Sequence, residues 1–71
     1  MVTKFHGSKD PHDHIAAYRQ VIRAEQVKDN HTQVEDFGLT LEGRALSWFQ
    51  TLEPIVLESF EKLMEFFIKA F

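Results

Sequence analysis

Seventy-one residues without a cysteine make at most one small domain, and a chain of this size buries only about 60% of the surface its unfolded form exposes. Disulfides and thiolate metal sites are excluded, so a core has to come from aliphatic and aromatic side chains, seven phenylalanines among them. A net charge of -3, spread along the chain and not gathered into a basic patch, argues against a nucleic-acid footprint, and no apolar run has the length of a membrane span or the look of a signal peptide. A soluble, cytoplasmic protein, or a fragment of one, is the expectation.

The chain starts with "MVTKFHGSKD", in which Val2 and Phe5 alternate with polar neighbours too briefly to make a sheet. This reads as an extended arm over residues 1–9, pinned to the remainder by Phe5 and turned into the first helix by Gly7. Asp10 is placed to cap that helix, Pro11 suits its first position, and Asp13 suits the positive end of its dipole. The helix is expected to run to about Gln26 and to bury Ile15, Ala17, Tyr18, Val21, Ile22 and Ala24.

Thr32 and Glu35 have the spacing of a capping box, which predicts a second helix starting there with Val34 and Phe37 turned inward. Gly38 and Gly43 bracket "LTLE" and predict a break, because glycine inside a helix costs roughly 1 kcal/mol relative to alanine. A third helix is expected over about Leu41 to Leu52, ended by Pro54. Its face carries Leu41, Ala45, Trp48 and Leu52, flanked by Leu46 and Phe49, and this makes Trp48 a central packing residue.

The last helix has the plainest pattern. Phe60, Leu63, Met64, Phe67 and Phe71 recur at the spacing of one buried face, opposite Glu58, Glu61, Lys62, Glu65 and Lys69. Glu58 with Lys62 and Glu65 with Lys69 have the order of stabilising four-residue pairs. Phe66, Ile68 and Ala70 fall outside the buried face and make the helix more apolar than a monomer requires, so they are candidate contacts to another chain, or lie under the arm. The sum is an all-α domain: a compact bundle of about four helices over residues 10–71, with an extended arm.

Chemistry is sparse. In "DPHDH", His12 and His14 point about 200° apart on a helix and only Asp10 and His14 share a face, so a tetrahedral metal set is not assembled; a solvated, mildly pH-sensitive helix start is the expectation. Ser8, Ser47 and Ser59 lack the context of a nucleophile, there is no phosphate-binding glycine loop, and a chain this short has little room for a pocket that shifts carboxylate pKa values. Neither an enzyme nor a cofactor is expected.

Three segments together carry a resemblance: "KFHGSKDPHDHIAAYRQ", "FGLTLEGRALSWFQTLEP" and "SFEKLMEFFIKAF". Phe5 and Gly7, then Leu41, Gly43, Ala45 and Trp48, then Phe67 and Phe71, resemble the order and spacing found in the Gag polyprotein of gypsy-type long-terminal-repeat retrotransposons, plant elements especially. The resemblance implies a capsid N-terminal lobe: a small helical domain that assembles with its own copies into a shell around the element's RNA. It looks like the same lobe in domesticated Gag proteins such as neuronal Arc, which also offers a groove for short peptides. RNA handling in such a system belongs to a nucleocapsid segment that residues 1–71 do not contain, so a fragment of a longer Gag and a reduced, host-adopted protein both remain open. The core implied is Leu41, Ala45, Trp48, Phe49, Phe37, Phe60, Phe67 and Phe71. The expected activity is self-assembly without a cofactor, its candidate interface being Phe5, Phe66, Ile68 and Ala70. The rival is a peptide-binding adaptor using the Phe5 arm and the helices near Trp48.

Overall fold

Five helices follow one another in the computed structural model, which describes residues 3–71: α1 (Pro11–Ala24), α2 (Asn30–Leu39), α3 (Gly43–Gln50), α4 (Pro54–Leu57) and α5 (Phe60–Ala70). Val2, assigned to the arm, lies outside the described residues. The domain is all-α, with one isolated bridge and no strand among the described residues. Its radius of gyration, 11.1 Å, is about that of a packed chain of this length.

Each helix starts where a local donor problem is solved. The Asp10 carboxylate accepts from the His12 backbone N–H at 2.8 Å, and Pro11 occupies the first helical position. α1 closes two residues before Gln26, which takes a left-handed φ of 57° while Val27 N–H donates to the Ile22 carbonyl at 2.9 Å. The second helix starts earlier than the capping box suggested. Asp29 is its N-cap and receives both the backbone N–H and the hydroxyl of Thr32, each at 2.8 Å, so the Thr32 side chain is spent outside the box. Glu35 instead meets the ring of His31 at 2.6 Å.

The segment 40–43 is where the expected third helix is cut back. Phe5 N–H donates to the Thr40 carbonyl at 2.8 Å and Glu42 N–H to the Phe5 carbonyl at 2.9 Å, a one-residue parallel bridge between Phe5 and Leu41. Leu41 is therefore extended and buried, and lies outside α3. Gly43, at φ 55°, takes the backbone from the bridge into the helix through a conformation that a side chain disfavours. Past Pro54 a single extra turn, α4, sets Val56 into the core before α5 begins at its Ser59 cap.

α5 is the element the others surround, packing on α1, α2 and α4. Phe60, Leu63, Met64 and Phe67 are its buried residues, as the sequence pattern anticipates. Against them lie Ile15 and Tyr18 of α1, Val34 and Phe37 of α2, Ala45 of α3, Val56 of α4, and the two bridge residues Phe5 and Leu41. Polar ties lock the layers: Tyr18 hydroxyl donates to the Gln33 carbonyl at 2.7 Å, and the Asn30 amide donates to the Glu58 carbonyl while accepting from Phe60 N–H, both at 2.7 Å. The expected pairs Glu58–Lys62 and Glu65–Lys69 do not close among the described residues. Glu58 belongs to the end of α4, and the Lys69 ammonium lies 6.0 Å from the Phe66 ring centroid instead.

Candidate functional site

The three segments that carry the sequence resemblance meet in one aromatic cluster. The Phe5 ring lies 5.1 Å from that of Phe67 and 5.5 Å from that of Phe71, and Trp48 lies 5.6 Å and 5.4 Å from the same two rings. Edge and tilted contacts dominate, the arrangement aromatic quadrupoles favour. Arg44 completes the junction, its guanidinium donating to the Gly7 carbonyl at 2.5 Å and lying 5.6 Å from the Phe71 ring centroid. The arm, α3 and the end of α5 thus hold one another.

Leu41, Ala45, Phe37, Phe60 and Phe67 are buried, whereas Trp48, Phe49 and Phe71 are only half-buried. The central position assigned to Trp48 belongs to Phe37 and Phe67, whose rings meet edge to face at 5.1 Å. With α3 reduced to eight residues, its aromatic side chains cover the core from one side instead of entering between helices. Among the described residues the Trp48 indole N–H has no acceptor, and it is not among buried, unpaired polar atoms.

The proposed interface residues divide. Phe5 is 4% exposed and offers no surface while the bridge holds. Phe66 and Ile68 are 41% and 37% exposed and Ala70 is exposed; the arm lies on Phe67 and Phe71 and leaves Phe66 uncovered among the described residues. The sequence did not single out Leu39 (72% exposed) at the end of α2 or Ile55 (57%) on α4. Each sits at a helix end, where periodicity has too few residues to speak.

A groove between the Phe5 arm and the helix of Trp48 is not open, because the Phe71 ring lies between them. Two clefts lie elsewhere. One of about 570 Å³ is floored by Val34, Phe49, Pro54 and Leu57 and rimmed by Asn30, His31, Glu35 and Glu58. Another, of about 460 Å³, runs beside Tyr18, Val21 and Leu39, with Lys4, Glu25 and Asp36 at its edge.

His14 is the residue on which the sequence expectation fails outright. Instead of a solvated helix start it is 8% exposed, its ring 5.2 Å from Phe5, 5.7 Å from Phe37 and 6.2 Å from Phe67. The Thr40 hydroxyl donates to the Phe37 carbonyl at 2.6 Å, so at 2.8 Å from His14 Nε2 it accepts, and the neutral ring carries its proton on Nε2. Burial holds the imidazole below its ordinary pKa. Among the described residues no three His, Cys, Asp or Glu side chains gather as a metal set; His12 instead contacts Asp10 at 3.2 Å. Likewise no helix is long and apolar enough to cross a membrane. No family model, curated protein or solved structure matches the chain.

Proposed function

We propose that this chain is a structural self-assembly module of the Gag capsid type, an N-terminal lobe that acts through contacts with its own copies and performs no catalysis. The observation that carries the reading is the convergence of the three resemblance segments: Phe5, Trp48, Phe67 and Phe71, distant in sequence, share one cluster closed by the Phe5–Leu41 bridge. Further support comes from Leu39, Ile55, Phe66 and Ile68, large apolar side chains the bundle leaves in water. The acidic net charge fits a lobe that leaves RNA to another segment.

Sedimentation of the chain over a range of concentrations tests the reading. Association that rises with concentration supports it, and a monomer persisting at about 1 mM, where even a weak contact of about 4 kcal/mol registers, overturns it. The second reading, a peptide-binding adaptor, is favoured by the 570 Å³ apolar cleft over Val34, Phe49, Pro54 and Leu57, and a persistent monomer transfers weight to it.

A further inference from the structure

Two surfaces of this chain have complementary chemistry. The first is the cleft between α2 and α4, with Val34, Phe49, Pro54 and Leu57 as its floor and the carboxylates of Glu35 and Glu58 at its rim beside Asn30 and His31, whose ring meets Glu35 at 2.6 Å. The second is the solvent side of α5, where Lys62, Phe66, Lys69 and Ala70 recur at steps of four, three and one and so lie along one stripe about 12 Å long. All four are exposed, and no acidic residue falls within the stripe: Glu61 and Glu65 lie further round the helix, Glu61 paired to Arg19 at 3.2 Å. Phe66 stands at its centre with the Lys69 ammonium over its ring.

The two surfaces adjoin. Glu58 and Lys62 are four residues apart, yet they do not pair with each other, because Glu58 ends α4 and lies outside the α5 helix. A two-fold axis passing near this junction would present the cleft of one copy to the stripe of the other, twice. We propose that the partner of the α2–α4 cleft is the α5 stripe of a second copy, with Phe66 seated on the apolar floor and Lys62 and Lys69 meeting Glu35 and Glu58. This deepens the self-assembly reading and rests on it. An isologous contact of this kind buries the same patches on both chains and doubles the effect of each pair. The charges select cleft against stripe, since cleft against cleft or stripe against stripe meets like charge. The exposed ring supplies the apolar centre that interfaces concentrate.

Charge exchange followed by sedimentation tests this directly. The double variants Glu35→Lys with Glu58→Lys, and Lys62→Glu with Lys69→Glu, alter exposed side chains only, so their thermal unfolding should stay close to that of the parent. Each alone is expected to associate at least about tenfold more weakly than the parent, whereas an equimolar mixture of the two should regain the parent's affinity, because every cleft then faces an opposite stripe. Phe66→Ser in both members of the mixture should lower it again by about tenfold. A parent chain that associates while both double variants do so equally well overturns this contact and leaves self-assembly standing. Failure of the mixture to recover, or a dimer exchanging the arm that survives every variant, overturns it too. A parent that never associates removes both readings, and binding of a basic, apolar peptide to the cleft would then identify a different occupant.

Discussion

The N-terminal arm and α3 invert what their side chains suggest. The arm brings one ring, Phe5, on a segment with no regular structure, and that ring is 4% exposed. α3 brings Trp48 and Phe49 on a regular helix, and both stay half-buried. The difference lies in how the backbone is held. Phe5 has both its N–H and its carbonyl bonded across to the α2–α3 junction, which drives its ring between α1 and α5. α3 is a short helix of eight residues that begins at Gly43 and buries only Ala45 fully. Burial depth follows where the chain is anchored on both sides, and ring size is secondary to it.

The sharpest way to break this comparison is at the ring both regions share. Phe67→Ala removes a fully buried side chain in contact with Phe5, His14, Phe37, Trp48 and Phe71, and should cost about 3–5 kcal/mol, enough to unfold so small a domain. Circular dichroism should show loss of the cooperative melt. Trp48→Ala, despite deleting the largest side chain, should cost only about 2 kcal/mol, because that side chain is only partly buried. A lowered but still cooperative melt is expected; complete unfolding would mean that α3 is as deeply set as the arm.

Gly38 probes α3 from the other side. A Cβ there would lie 2.6 Å from Phe49 Cε2, so Gly38→Ala gains helix propensity but forces the ring away, for a net loss of about 1 kcal/mol. Combined with Phe49→Ala, the same substitution should instead stabilise relative to Phe49→Ala alone. Equal effects in the two backgrounds would show that the ring moves freely.

The pH dependence is the mildest probe and reports on the arm's neighbour. His14 is held neutral by burial, so as pH falls below its unfolded value of 6.5 the unfolded chain takes up a proton first. Stability is complete above 6.5 and should decline from there down to the lowered folded pKa, by at most about 1.4 kcal/mol per pH unit. His14→Gln, which retains a donor for Thr40, should flatten that slope in urea titrations between those values. At the alkaline end, burial, with Asp36 and Glu25 adding to it, pushes Tyr18 up to about 12, so stability should decline again as pH rises past 10.0.

Local sequence by itself determined the all-α character and the inner face of α5, but not the extra turn α4, and on α1 it turned inward Ala17 and Ala24, which are exposed. The cap Asp10, the interruption at Gly43 and the inward run Phe60, Leu63, Met64 and Phe67 depend on bonds and periodicities within a few residues, which is why they are legible without any contact. Only the tertiary structure decided the rest. Thr32 chose Asp29 over a capping box, a choice that two overlapping local motifs leave open, and the adjoining Asn30 is held by the Glu58 carbonyl and Phe60 N–H from far along the chain. His14 is buried because Thr40, twenty-six residues away, supplies its partner, and Leu41 leaves α3 because Phe5 claims its neighbours' backbone. The pairing of Glu58 with Lys62 fails for a related reason: the chain breaks between them, so a spacing that means proximity on one helix means nothing across two. Partners brought from far along the chain fix which side chains are sealed and which face water, and in a domain with so little interior a single such choice moves a residue from core to surface.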